Sequence, residues 1–178
     1  MLNQERIKEA ELNVRQYLQD GLLKKQANIT AQGMYIENSD NSLQTANKIL
    51  ALENKEYNPS LWVIVTSYYA MYYVTNAVLL KLGYKVSDKI SHKVTADALI
   101  IFVRNKLKKK LLENYEDTKE DALEITSQKV DTLLQSLDYE REKRSKFQYQ
   151  MDEQAKRGKA VTSLERAKEF VFEMKKLL

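Results

Sequence analysis

The chain has 178 residues and a net charge of +4, with one histidine and no cysteine. The lack of cysteine excludes disulfides, thiolate metal sites and a cysteine nucleophile, and a single histidine is too few for a histidine-based metal site. We therefore expect no metal and no other cofactor. Four glycines and one proline supply few of the turns that sheets need, so the composition predicts a nearly all-helical protein.

The N-terminal region is charged throughout and lacks the apolar run of a signal peptide. Together with the lack of cysteine, this favours a cytoplasmic protein. Apolar residues at three-to-four spacing in residues 3–25 predict an amphipathic helix, which Gly21 and the stretch ANITAQG are expected to end. We interpret residues 1–33 as a helical extension and residues 34–178 as the main bundle. The second helix is expected to begin after the capping oxygens of residues 38–40.

The third helix has the clearest start. Asn58 suits an N-cap position and Pro59 suits the first helical turn, where no backbone donor is lost. The helix is expected to run to about Leu82 and to be ended by Gly83. It is apolar on nearly all sides, which predicts a place in the centre of a bundle. Its Thr, Ser, Asn and clustered Tyr residues argue against a lipid-facing span, so no membrane partner is expected.

The fourth and fifth helices carry most of the charge. Ser91 is the expected cap of the fourth helix, which ends in the basic run RNKLKKK at residues 104–110. The acidic run ENYEDTKED is expected to link it to a fifth helix beginning near Asp121. That helix continues into the basic stretch EREKRSKFQYQ at residues 140–150.

The last helix is expected to follow a break at Gly158, with Thr162 or Ser163 as its cap. Its apolar residues fall on one face, and two lysines lie at its C-terminal end, where the helix dipole favours cations. The predicted fold class is therefore all-α, an up-and-down helical bundle with an added N-terminal helix.

Two short motifs lie on the predicted third and fourth helices. SYYAMY at residues 67–72 is followed by SHK at residues 91–93, and this pair resembles the small stand-alone prokaryotic branch of the HEPN superfamily. The terminal SLERAKEFVFEMKKLL is similar to the closing helix of the family. The resemblance covers about residues 40–178 and implies an HEPN-like bundle that forms a homodimer.

The resemblance also implies a function. Active HEPN members are metal-independent ribonucleases with an R-x4-6-H motif, whose arginine contacts the scissile phosphate and whose histidine assists attack by the 2′-hydroxyl. Many are toxins paired with an antitoxin, often a small nucleotidyltransferase. Others bind RNA or nucleotides without cleaving them. The implied partners are thus RNA or a nucleotide, a second copy of the chain, and a nucleotidyltransferase antitoxin.

The stretch EREKRSKFQYQ lies where the family carries its arginine motif. Arg144 is the candidate phosphate ligand, since a guanidinium matches two phosphate oxygens and stays charged. Tyr149 stands where active members carry histidine. The predicted nucleic-acid-binding residues are Arg141, Lys143, Arg144, Lys146 and Gln148. The alternative interpretation is a solvated, charged helix face.

His92 is the one ordinary general base in the chain. Its expected place in a first helical turn would lower its pKa through the helix dipole. The alternative is a structural histidine packed near Tyr69 or Tyr72. The tyrosines at positions 68, 69, 72 and 73 are likewise either a base-stacking surface or core. The run at residues 104–110 is either a phosphate-binding surface or a solvated helix end.

Two functions stay open. The favoured one is an RNA- or nucleotide-binding helical module, non-catalytic or a degenerate ribonuclease. The alternative is a metal-independent toxin-type endoribonuclease of a toxin–antitoxin pair. Tyr149 decides the preference, because a phenol with a pKa near 10 is a poor general base at neutral pH. Whether the chain is an enzyme is left open, with Arg144 and Tyr149 as the candidate catalytic pair.

Overall fold

A computed structural model describes residues 2–137 and 145–178, without the side chains of residue 125 and residues 127–156. The described chain is an all-α helical bundle with one short two-stranded sheet, which confirms the predicted fold class. The helices are α1 (Gln4–Gln19), α2 (Ile29–Ala51), α3 (Ser60–Lys81), α4 (Ser91–Phe102), α5 (Lys109–Leu137) and α6 (Ser145–Lys175). The strands are β1 (Leu23–Lys25) and β2 (Tyr84–Val86), and a 3-10 turn spans Arg104–Lys106.

Helix α3 is the centre of the bundle, as its sequence predicts. It packs against α2, α4, α5 and α6, and most of its residues are buried. Helix α3 begins at Ser60 and Pro59 holds its N-cap position, so the predicted start is one residue early. The Asn58 side chain lies just before the cap and accepts a hydrogen bond from the Ser60 backbone N–H at 3.0 Å. Among the described residues, α3 is the one helix long and apolar enough to cross a membrane, but 78% of its apolar window is buried inside the protein.

Two buried polar side chains of α3, Thr75 and Asn76, find partners inside the bundle, whereas two buried serine hydroxyls of this helix have none among the described residues. The Thr75 hydroxyl donates to the Met71 carbonyl at 2.8 Å, and the Asn76 amide donates to the Tyr72 carbonyl at 3.0 Å and to the Thr95 hydroxyl at 3.3 Å. Buried polar groups are stable where they are hydrogen-bonded. Asn76 and Thr95 therefore join α3 to α4 through the core.

A short antiparallel ribbon joins two regions that are far apart in sequence. Each strand follows a glycine with positive φ, Gly21 at 70° before β1 and Gly83 at 85° before β2. Leu23 pairs with Val86, and both side chains are buried in the core. The composition did not predict this ribbon, because three-residue strands are too short to show a period-2 pattern.

The N-terminal extension is attached to the bundle through a buried carboxylate. Asp97 of α4 has no solvent exposure and lies 2.6 Å from the Arg6 guanidinium of α1. Its other oxygen accepts hydrogen bonds from Tyr17 at 2.9 Å and Asn13 at 3.0 Å. The apolar stripe of α1 is buried against the same chain. The extension is therefore packed on its own bundle.

Two predicted helix starts are wrong. Helix α2 begins at Ile29, and the Asn28 side chain caps it by accepting from the Ala31 N–H at 2.9 Å. Residues 38–40, the predicted cap, lie inside this helix. The helix also runs through position 33, the predicted boundary between the extension and the bundle. Ser91 is the first residue of α4 and not its cap. The N-cap position belongs to Ile90, which has a left-handed backbone with φ of 44°.

The boundaries predicted around the charged runs are also wrong. Helix α4 ends at Phe102, and the basic run is divided between the 3-10 turn and the start of α5. The acidic run is part of α5. Some of its carboxylates pair within α5, as Glu113 does with Lys109, and others pair with α6, as Asp121 does with Lys159. Helix α6 continues through Gly158 without a break. A glycine inside a helix costs only about 1 kcal/mol, which tertiary packing can offset.

The buried pair between Arg6 and Asp97 gives a stability prediction. Arg6→Ala leaves a carboxylate without its cation in a fully buried place, so the free energy of unfolding should fall by about 3 kcal/mol. Arg15→Ala is the matched control, since Arg15 is an exposed arginine on the same helix. Urea unfolding followed by circular dichroism measures both. Equal stability of Arg6→Ala and Arg15→Ala would show that the Asp97 network does not hold the extension.

Candidate functional site

The two motifs that resemble the HEPN superfamily meet in one place. The Tyr68 hydroxyl of α3 lies 2.7 Å from Nδ1 of His92 on α4. The His92 ring also contacts Tyr72, at 4.7 Å between ring centroids, and Tyr69, at 5.8 Å. The expected packing of the histidine against Tyr69 and Tyr72 is thus confirmed. SYYAMY and SHK, separated in sequence, form a single cluster of rings.

His92 has the properties of a neutral imidazole. Its ring is half-buried, and burial lowers its pKa below the ordinary value, with a further contribution from the Lys119 cation. Burial, and not the helix dipole expected from the sequence, is the main cause of the lowered His92 pKa. Burial also raises the pKa of Tyr68, so its hydroxyl stays protonated. The two states fit together when Tyr68 donates to Nδ1 and the imidazole hydrogen is on Nε2.

The inner side of the cluster is closed by Tyr115 of α5. Its ring is completely buried and meets the Tyr68 ring edge-on, at 6.0 Å between centroids. Burial raises the pKa of Tyr115, and the neighbouring Tyr68 raises it further. The Tyr115 hydroxyl has no hydrogen bond of standard geometry among the described residues. Tyr68 and Tyr115 are therefore core residues, and their packing on the inner side of the cluster fixes the position of His92.

The outer side of the cluster is partly open to solvent. Tyr69 contacts Tyr73 at 5.7 Å between ring centroids, and Tyr73 contacts Tyr35 of α2 at 6.0 Å. These three rings and His92 are each partly exposed. We call Tyr35, Tyr69, Tyr73 and His92 the aromatic surface. Partly exposed aromatic rings of this kind can stack on nucleobases.

Charged groups connect the aromatic surface to the Asp97 network. Lys119, whose positive charge lowers the pKa of His92, forms an ion pair with Glu116 at 2.6 Å. Glu116 also lies 3.5 Å from Arg6, the partner of Asp97. Lys93, the residue after His92, is exposed. A neutral imidazole and partly exposed rings can contact the flat base of a ligand. Lys93 is the exposed cation next to His92 in sequence, whereas the ammonium group of Lys119 is already paired.

The predicted arginine motif is not tested by this geometry. Arg141, Lys143 and Arg144 lie outside the described residues. Lys146, Gln148 and Tyr149 belong to α6, but their side chains are outside the described part of the structure. Whether these six residues form a site together stays a prediction.

The second basic run does not pair mainly with the acidic run that follows it. Lys109 lies 3.7 Å from Glu113, but Arg104 lies 3.9 Å from Glu11 of α1. Other acidic residues of α5 pair with α6, as Asp117 does with Arg166 at 3.0 Å. Lysines 106, 108 and 110 are exposed. This run is a solvent-facing turn and helix start, where cations oppose the helix dipole.

Two members of the site were not foreseen from the sequence. Tyr115 and Lys119 fall in the acidic run that was interpreted as a linker. Helical spacing could have identified them, because Tyr115, Thr118 and Ala122 recur at three-to-four spacing and are all buried. The charged residues between them hide this stripe.

No group of three or more His, Asp and Glu side chains in the described part of the chain could hold a metal ion. Comparison with known proteins gives no family assignment: no family model, no curated protein and no solved structure matches the chain.

The lowered pKa of His92 predicts a pH-dependent stability. In the unfolded chain the imidazole takes up a proton below its ordinary pKa of about 6.5, whereas the folded protein keeps it neutral to lower pH. Protonation therefore favours the unfolded chain, and stability should fall as the pH drops below about 6.5. His92→Gln removes this titration.

Thermal unfolding of wild type and His92→Gln between pH 5 and pH 8 measures the effect. The wild-type melting temperature should fall more steeply on the acidic side than that of the variant, since other titrating groups are common to both. Parallel curves for the two proteins would contradict the lowered pKa.

Proposed function

We propose that the chain is an HEPN-like helical module that binds single-stranded RNA or a nucleotide. The observation that carries the proposal is the contact between Tyr68 and His92, which unites the two motifs of the resemblance in one partly exposed cluster. The aromatic surface around this contact offers the chemistry that a base requires.

The roles of the residues follow from their exposure. Tyr69, Tyr73 and Tyr35 present ring faces or edges for stacking, and stacking tolerates any base. His92, held by Tyr68, offers Nε2–H as a hydrogen-bond donor. In this proposal Arg144, together with the other residues predicted in the basic stretch, binds phosphate groups of the same ligand.

The proposal predicts that stacking residues control affinity. Tyr69→Leu and Tyr73→Leu retain apolar volume but remove the aromatic face, and each should weaken binding of a short single-stranded RNA by at least about fivefold. Tyr57→Leu is the matched control, because Tyr57 is exposed and contacts none of the aromatic rings of the site. Fluorescence anisotropy with labelled RNA measures the affinity, and circular dichroism verifies folding.

The salt dependence of the same binding tests the basic stretch. If Arg141 and Arg144 bind phosphates, removing both should weaken binding and flatten the dependence on salt by about 0.7 per phosphate lost. Affinity unchanged in the tyrosine and the arginine variants would contradict the proposal. If Tyr57→Leu lost as much affinity as Tyr69→Leu and Tyr73→Leu, the RNA would not bind at the aromatic surface.

A second function, metal-independent RNA cleavage, is favoured by one observation. His92 is a neutral, half-buried imidazole beside a lysine, which is the state a general base needs at neutral pH. Its Nδ1 is already engaged by Tyr68, however, and Tyr149 cannot replace it as a base. We therefore expect binding with little or no cleavage.

A time course on labelled single-stranded RNA with chelator present tests this expectation. Robust cleavage by wild type that disappears in Arg144→Ala and Tyr149→Phe would make the tyrosine catalytic. Cleavage that disappears in His92→Ala instead would make His92 the base. A small nucleotidyltransferase encoded beside this gene would favour the toxin–antitoxin setting.

We also propose a cytoplasmic homodimer, and this proposal rests on the resemblance and the composition. The N-terminal amphipathic helix no longer supports it, since its apolar stripe is buried in its own chain. Light scattering at micromolar concentration tests the dimer, and a monomer at all concentrations would contradict it.

A further inference from the structure

An open cleft of about 190 Å³ lies along the β1–β2 ribbon. It is lined by Lys24, Gln26, Lys85, Val86, Ser87 and Asp88. The first two residues come from the N-terminal extension and the others follow α3. The cleft therefore exists only where the extension and the bundle meet.

The register of the ribbon places two lysines directly opposite each other. Lys24 pairs with Lys85, one position along from the buried pair of Leu23 and Val86. Since side chains alternate across a strand, the burial of Leu23 and Val86 fixes both lysines on the outer face. Like charges directly opposite each other destabilise a ribbon. Neither amine forms an ion pair with a carboxylate in the described part of the chain.

The same alternation brings two further polar groups to this face. The ladder continues past the strands, with Gln26 N–H donating to the Gly83 carbonyl and Ser87 N–H donating to the Leu22 carbonyl, each at 2.9 Å. The Ser87 hydroxyl is buried and has no hydrogen-bond partner among the described residues. Turning it towards a ligand therefore breaks no existing hydrogen bond.

We infer that this face of the ribbon is a binding site for a phosphate group, either free phosphate or the terminal phosphate of a nucleotide. The ammonium groups of Lys24 and Lys85 supply charge, and Gln26 and Ser87 supply neutral donors. A bound dianion removes the repulsion that the register imposes on the lysines. Asp88, the one carboxylate among the described residues that line the cleft, repels the anion. The site goes beyond the proposed function and does not depend on the aromatic surface.

Inorganic phosphate, titrated at constant ionic strength and followed by amide NMR, tests the site. The amide signals of Gln26 and Ser87 should shift and saturate. Combined Lys24→Gln and Lys85→Gln substitutions should weaken binding about tenfold or more. Lys25→Gln is the matched control, since Lys25 is exposed, belongs to the same strand and pairs with Tyr84. It should leave the affinity unchanged.

Two further variants separate the site from general surface charge. Ser87→Ala should weaken phosphate binding without lowering the melting temperature, because the hydroxyl has no partner to lose. Asp88→Asn should strengthen binding. Adenosine monophosphate that binds more tightly than phosphate would identify a nucleotide as the source, and equal affinity would identify free phosphate.

Three results would overturn the inference. The first is saturation by phosphate that is unchanged in the double lysine variant. The second is an equal loss of affinity in Lys25→Gln. The third is an equal response of the Gln26 and Ser87 amides to chloride, which would indicate screening and no site. Failure of the RNA experiments with the tyrosine variants would leave this result unaffected, so the two proposals fail independently.

Discussion

The rest of the structure depends on the burial of helix α3 on nearly every side. A helix in this position has little solvent to hydrogen-bond its polar side chains, so a partner within the bundle stabilises those that find one. Thr75 uses the carbonyl of its own preceding turn, Asn76 reaches Thr95, and the Tyr68 hydroxyl meets His92. Two of these three interactions go to α4. The hydrogen bond that satisfies the Tyr68 hydroxyl thus also fixes the position of His92.

The N-terminal extension completes the bundle in two ways. Its first helix supplies Arg6, Asn13 and Tyr17 to the carboxylate of Asp97, which would otherwise be a buried charge without compensation. Its strand pairs with β2 and brings Lys24 opposite Lys85. Because Glu116 and Lys119 connect the Asp97 network to the surroundings of His92, the extension also contributes to the electrostatics of the aromatic surface.

Sequence patterns predicted the parts of the fold that a single helix can encode. The apolar surface of α3 and its end before Gly83 depend on local residues, and both are confirmed. Its start was predicted one residue early, since Pro59 and not Asn58 holds the N-cap position. The ribbon and the acidic half of α5 were missed. Their structure depends on partners distant in sequence, namely β2 for Lys24 and Arg166 for Asp117. The contact of His92 with the tyrosines was one of two open interpretations, and no local pattern could decide that it lies at a partly exposed surface.

In the proposed function, the aromatic surface, which includes His92, binds the base of an RNA or nucleotide ligand. His92 is the only histidine, so its imidazole gives one isolated proton NMR signal that reports on this place alone. The most direct measurement follows that signal during titration with a short single-stranded RNA. The account predicts a saturating shift that tracks binding and is lost when Tyr69 and Tyr73 are replaced by leucine. RNA that binds the protein without moving the His92 signal would contradict it.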